Sequence, residues 1–246
     1  SGNDVPYYIQ QTSDGGYFVA GYTESDDHDV SGNHGGFYDG WVVKLSNEGD
    51  IQWQKALGGS GWDDIWSAQQ TTDNGYILAG RSSSIDGDVT ENHGQLDIWV
   101  VKLDESGNIE WQKSFGGSND EVSYSVKQTL DGGYIVAGET ASMDGNVTEL
   151  HGNVDFWVIK LSSNGTLEWQ RTLGGSHADI ASDVVQASDG GYVVTGYAGS
   201  NDGQVTGHHG ILDFWIVKLN NDGSIEWQTA LGGSEVDYGR SIVPTD

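Results

Sequence analysis

The sequence predicts an all-β fold, a β-propeller of four blades with four antiparallel strands each. Three observations carry this. Trp53, Trp111, Trp169 and Trp227 recur every 58 residues, each opening a Trp-Gln segment that runs into Gly-Gly. Within one period, short apolar or alternating runs are separated by turn sequences, and no segment has a 3.6-residue period. Glycine is abundant (38) and proline nearly absent (2), with the glycines at regular turn positions. A repeat of this length containing four short strands describes a propeller blade, whose apolar faces must be covered by its neighbours.

Residues 60–117 serve as the type unit. Asp64 to Thr71 is the first strand, and Thr72-Asp73-Asn74-Gly75 is a turn. Tyr76-Ile77-Leu78-Ala79-Gly80 is an apolar second strand. A long loop follows, then a third strand over 98–103. The turn Asp104-Glu105-Ser106-Gly107-Asn108 leads to an alternating fourth strand over 109–115. The repeats run 1–59, 60–117, 118–175 and 176–233 within a single domain spanning 1–246. Residues 234–246 restart the pattern as an extra first strand, because Ser234, Asp237 and Ser241 align with Ser60, Asp63 and Ser67. Five blades, or a piece of a longer array, are the alternatives.

The segments Gly132-Gly133-Tyr134-Ile135-Val136-Ala137-Gly138, Asp155-Phe156-Trp157-Val158-Ile159-Lys160-Leu161 and Leu167-Glu168-Trp169-Gln170-Arg171-Thr172-Leu173-Gly174-Gly175-Ser176 resemble the tandem propeller-type repeats of proteins secreted by Bacteroidetes-like bacteria. They are more distantly similar to kelch repeats, which also place a Gly pair after one strand and a Trp in another. The resemblance spans the whole chain and implies a propeller that is secreted or displayed at the cell surface. It brings no catalytic motif.

The long loop is the most chemically dense element. It reads Asp86-Gly87-Asp88-Val89-Thr90 to His93-Gly94 to Asp97-Ile98-Trp99, and it returns around His151 and His209, with a looser first copy around His34. The loop joins strands two and three, and the Gly-Gly-Ser junction joins strand four to the next strand one. In an antiparallel blade both connections lie at the same end, so one face collects the loops and the junctions. Loops on a rigid scaffold are the usual place for binding residues. The candidate ligand-binding residues are therefore His34, His93, His151 and His209, with Trp62 and Trp66 at one junction as stacking surfaces for a sugar.

Candidate metal ligands are the loop acids Asp27, Asp86, Asp144 and Asp202 and the junction acids Asp4, Asp63, Glu121 and Asp179. Hard cations prefer oxygen donors, and Ca²⁺ is the expected ion. The full calcium-loop pattern is absent, and the bland alternative is that each acid caps its own turn. The other eight Trp, in two strand columns, read as core.

The formal net charge of −27 repels phosphate backbones and anionic lipid, which excludes nucleic acid and membrane surfaces as partners. There is no Cys, hence no disulfide, thiolate metal site or Cys nucleophile. No apolar run approaches a membrane span. No nucleophile elbow, metalloprotease motif or phosphate loop is present. The expected function is a non-catalytic extracellular or cell-surface binding or scaffold module, with glycan, Ca²⁺ or a surface protein as partner. A polysaccharide-cleaving enzyme and a structural spacer are the alternatives.

Overall fold

A computed structural model describes residues 2–244; the start of the first repeat at Ser1 and the end of the tail at 245–246 lie outside them. The chain forms two compact units, Ser1–Phe115 and Gly116–Asp246. Among the described residues there are four sheets of four antiparallel strands and no helix.

The first unit holds two sheets. One is β1 (Asp4–Gln11), β2 (Tyr17–Thr23), β3 (Asp39–Leu45) and β4 (Ile51–Leu57). The other is β5 (Asp63–Gln70), β6 (Tyr76–Ser82), β7 (Asp97–Leu103) and β8 (Ile109–Phe115). The second unit repeats this with β9 (Glu121–Gln128), β10 (Tyr134–Thr140), β11 (Asp155–Leu161) and β12 (Leu167–Leu173), then β13 (Asp179–Gln186), β14 (Tyr192–Ala198), β15 (Asp213–Leu219) and β16 (Ile225–Leu231). Every sheet is ordered as its strands occur in the chain. The strands expected in the type unit are present to within two residues, with the junction acid as the first residue of each first strand.

Burial explains the composition of each strand. The two middle strands are covered on both faces, so β6, β7, β10 and β11 are apolar runs rather than alternating ones. In the first unit, Phe18 and Val42 of one sheet meet Ile65, Leu78 and Trp99 of the other, and β5 lies against β1, β2 and β3. In the second unit, Phe156 and Trp215 meet edge to face, with centroids 4.7 Å apart. Each such fully buried side chain contributes roughly 1.5–3 kcal/mol.

In the third-strand Trp column, Trp99, Trp157 and Trp215 are fully buried core and Trp41 is partly covered. The fourth-strand column stands at the margin of the core, with Trp53 and Trp169 packed against the buried clusters of their units. Trp53, Trp111 and Trp169 are only partly covered, and Trp227 is 46% exposed. The reason is geometric. Trp53 lies over the turn of the next sheet at Gly107, and Trp169 lies over the turn at Gly223. Trp227 has no such turn on it among the described residues.

Two devices fix the ends of the sheets. At the short-turn end, a buried Lys from each third strand reaches the turn Asp: Lys44 to Asp14 at 2.9 Å, Lys102 to Asp73 at 3.0 Å, Lys160 to Asp131 at 2.9 Å and Lys218 to Asp189 at 2.8 Å. Near the loop end, each first strand carries a one-residue bulge, at Tyr7, Trp66, Tyr124 and Ser182. The facing residue is always Gly, because a Cβ on Gly80 would stand 1.7 Å from the Asp64 carbonyl oxygen. A bulge re-aims the extra side chain away from the pleat.

After β16, the tail lies on the last sheet as β13 lies on the sheet before it. Asp237 donates its N–H to the Leu212 carbonyl at 2.8 Å, as Asp179 does to Val154 at 2.8 Å. The tail makes a parallel bridge at Leu212 and Val236, matching Val154 and Ala178. It adds no ladder of its own within 234–244.

Candidate functional site

Loop and junction meet in each unit. In the first, the Ser60 N–H donates to Oδ1 of Asp86 at 2.7 Å, and the Gly58 N–H donates to Oδ2 of Asp88 at 3.2 Å. The Asp88 N–H returns to the Gly58 carbonyl at 2.7 Å. The second unit repeats this twice. Ser118 N–H donates to Asp144 and Gly116 N–H to Asn146, while Ser176 N–H donates to Asp202 and Gly174 N–H to Gln204. The position of Asp88 therefore tolerates Asn146 and Gln204 because only a side-chain oxygen is needed. The amide hydrogen bonds hold the Asp86 and Asp202 carboxyls below the usual range.

The four candidate histidines take one role. Oδ2 of Asp97 accepts the main-chain N–H of His93 at 2.9 Å and faces its Nδ1 at 2.6 Å. Asp39 does this for His34 at 2.6 and 2.8 Å, Asp155 for His151 at 2.7 and 2.7 Å, and Asp213 for His209 at 2.6 and 3.3 Å. Burial works against charge on His34, but the hydrogen bond and charge of Asp39 outweigh it and raise the imidazole above its ordinary value. The loop is also sewn to the sheet from its other side. The Trp99 indole donates to Gln112 at 2.9 Å, and Gln112 donates to Thr90. Trp157, Gln170 and Thr148 repeat the relay, as do Trp215, Gln228 and Thr206.

The junction acids are held by hydroxyls at and just past the end of the second strand and, at Asp63, Glu121 and Asp179, by an amide of the junction itself. Asp63 accepts from Ser82 and Ser84 hydroxyls and the Gly59 N–H, and Asp179 from Ser200 and the Gly175 N–H. Glu121 accepts from Thr140 and the Gly117 N–H, and the exposed Asp4 from Thr23 and Ser25. Burial pushes the Asp63 and Asp179 carboxyls upward in spite of these donors. Asp27 is exposed, and its carbonyl accepts the Val30 N–H. Among the described residues, no group of three or more His, Asp or Glu side chains surrounds a common point as a metal centre would.

Trp62 and Trp66 belong to a different arrangement, confined to the first unit. Tyr7 stacks on Trp66 with centroids 4.3 Å apart and planes 6° from parallel. Tyr22 lies 5.8 Å from Tyr7 and 4.5 Å from Tyr38, and Phe37 meets Trp62 edge-on at 5.1 Å. Beneath them, the buried Asp64 accepts from the Trp66 indole at 2.7 Å and from Nε of Arg81 at 3.1 Å. Arg81 also lies over the Trp66 ring and reaches the Tyr38 hydroxyl at 3.4 Å. Phe37, Tyr7 and Trp62 remain 64, 40 and 42% exposed, a large apolar surface for one patch. At the equivalent positions of the third and fourth repeats, Trp62 becomes Asp120 and Ala178, Trp66 becomes Tyr124 and Ser182, and Arg81 becomes Glu139 and Tyr197. The signal available in the sequence was this departure from the repeat. The stacking of Tyr7 across two sheets and the Asp64–Arg81 pair depend on three-dimensional packing.

No family model matches the chain. A regulatory protein of Caulobacter vibrioides, FlaEY, is 26% identical over 162 residues, covering 61% of this chain and 17% of that protein. The chain thus spans less than a fifth of that relative's length. Among solved structures, Sqt1 from Chaetomium thermophilum is similar over 89% of this chain and 44% of its own, at 13% identity and a TM-score of 0.43.

Proposed function

We propose that the chain is a non-catalytic binding module of the β-propeller repeat type, displayed outside the cell, which holds a glycan against the aromatic patch of its first unit. The observation that carries this reading is the Tyr7–Trp66 stack with Asp64 and Arg81 locked beneath it. Flat aromatic faces pair with the C–H faces of a pyranose ring, and adjacent polar groups meet its hydroxyls. The patch breaks the repeat symmetry, as a ligand site needs to and a structural device does not. The high acidic charge favours a neutral or cationic glycan over a sulfated or uronic-acid one.

A glycan panel tested by titration calorimetry checks this. Binding of at least one neutral polysaccharide is expected, weakened at least tenfold in Trp66→Ala and in Trp62→Ala. Trp227→Ala, an exposed Trp of the second unit, should leave binding unchanged. Equal loss in all three variants, or no binding across the panel, would overturn the assignment. Release of reducing ends during the titration would move it to a cleaving enzyme.

A further inference from the structure

The face that a sheet turns to its successor is apolar, and it is covered unequally along the chain. In the second unit, Ile135, Phe156, Val158 and Leu173 lie beneath the following sheet and are 0–1% exposed. One repeat on, the same column is Val193, Phe214, Ile216 and Leu231. Its first three members are half-buried, and Leu231 is 49% exposed. The opposite face of the first sheet is open in the complementary way. Ile9 is 66% exposed, whereas Ala68 and Val184 in its column are fully buried. Val19 and Trp41 are half-buried, whereas Leu78 and Trp99 are fully buried. The turn at Gly49 has open space above it, while its counterparts at Gly107 and Gly223 lie under Trp53 and Trp169. Apolar surface of this kind marks an interaction site.

The tail covers the last of these faces in part. Residues 235–244 correspond in the repeat to 2–11, the segment that holds β1. Besides the Asp237–Leu212 hydrogen bond, the Gly239 N–H donates to the Gly196 carbonyl at 3.1 Å. The Ser241 hydroxyl and the Ile242 N–H donate to Oδ2 of Asp183 at 3.1 and 3.0 Å. Tyr238 meets Tyr197 edge to face, with centroids 4.8 Å apart. No second strand pairs with the tail among the described residues. The tail therefore lays one strand on a face whose counterparts receive a whole sheet.

We propose that the last sheet of one chain docks the first sheet of a second copy, head to tail, and that the tail is a displaceable strap over that surface. The fit follows from packing the chain already makes. Phe156 meets Trp215 of the following sheet edge to face at 4.7 Å. Phe214, one repeat on, finds Trp41 of the second copy in the same place. Leu231 and Ile9 come under cover, and Trp227 receives the Gly49 turn. β1 of the second copy takes the tail's position, with the Asp4 N–H on the Leu212 carbonyl where Asp237 was. Burial of apolar surface drives the association. The two faces differ, so the contact is heterologous and extends past a dimer. Each copy carries a charge of −27, so salt strengthens the association by screening the repulsion. The test uses no glycan.

Sedimentation velocity of the full chain, over rising protein concentration in high salt, provides the test. Dimers and longer species are expected. Ile9→Glu and Leu231→Glu, both at exposed positions, should each sediment as a monomer. Mixed, they should form dimers and nothing longer, because each chain keeps one working face. Gly239→Leu should tighten association about tenfold by freeing the surface. Its Cβ would stand 2.1 Å from the Phe214 ring and 2.7 Å from the Gly196 carbonyl oxygen, which drives the tail off the sheet. A wild type monomeric at every concentration would overturn the proposal, as would Glu variants that each still self-associate. So would a Gly239→Leu chain that associates no more tightly than wild type. A monomer whose melting temperature falls in both Glu variants would mean that the faces are covered within one chain, and would also overturn it.

Discussion

A single oxygen, Oδ2 of Asp155, takes both the main-chain N–H and Nδ1 of His151 at 2.7 Å. The imidazole is thereby committed to fastening the loop, and the same bond recurs in every repeat. Four copies of one clamp describe scaffolding, and a reactive group would be needed only once.

His151→Ala should therefore destabilise the protein by about 1.5–3 kcal/mol, the net worth of a hydrogen bond to a charged, buried partner. Glycan binding should not change. Denaturant unfolding of this variant and of His93→Ala should give similar losses, since the two clamps are alike. A large loss at one and none at the other would contradict the equivalence of the repeats.

The clamp at His34 has a pH signature. Its imidazole is raised above the ordinary value near 6.5 by Asp39, against the effect of burial. The protonated form is the one favoured by folding, so the stabilisation is complete below pH 6.5 and is lost as pH rises through the raised value. The stability difference between wild type and His34→Gln should shrink from pH 5.5 to pH 9. A difference that stays flat or grows would show that the ring is neutral in the folded protein.

The junction makes a finer distinction. Asp88→Asn should cost only a few tenths of a kcal/mol, because Asn146 and Gln204 do the same work for Gly116 and Gly174 and the remaining loss is the partly exposed pairing with Nε2 of His34 at 3.6 Å. Asp88→Ala leaves the Gly58 N–H without its acceptor and should cost about 1 kcal/mol. Thermal unfolding of the two variants separates an acceptor requirement from a charge requirement.

Much of this was readable in the sequence because a 58-residue period overlays four versions of each position. The strand bounds followed from Tyr76, Trp99 and Trp111 standing in columns. The meeting of loop and junction followed from antiparallel connectivity alone. The bulges did not, since nothing in Ile65-Trp66-Ser67 marks an unpaired residue. Nor did the approach of Asp39 and Asp63 to Gly58, since the two acids lie in different sheets and are brought together only by inter-sheet packing. The fourth-strand Trp column looked like core because tryptophan usually is. Trp53 and Trp169 do pack against it, but from its margin, each also covering the turn of the next sheet, and Trp227 is left half exposed.

At the opposite end, the turn carboxylates should set the acid limit of stability. Burial acts to raise Asp131, but the Thr129 hydroxyl, the Gly133 amide and Lys160 bring it down to about 2. A depressed carboxyl contributes above its unfolded value near 3.8, and that contribution fades as pH falls toward 2. The side chain is 55% exposed, so screening limits the effect to about 1 kcal/mol or less. Asp131→Asn should lose stability at pH 7 and match wild type at pH 2. Equal loss at both pH values would show that the carboxylate's charge is irrelevant.

Gly80→Ala links the fold to the proposed binding surface. Its Cβ would strike the Asp64 carbonyl oxygen at 1.7 Å, and the backbone there cannot yield without undoing the bulge that aims Trp66. The expected cost is about 3 kcal/mol, at the upper end for a forced backbone shift. Glycan affinity should fall with it, because Trp66 leaves its place against Tyr7 and Asp64. Gly138→Ala supplies the control, since its Cβ would stand 1.9 Å from the Val122 carbonyl oxygen in the second unit. It should cost a similar amount of stability while the folded fraction binds glycan normally. Loss of affinity in both variants would place the effect in general destabilisation and not in the aim of Trp66.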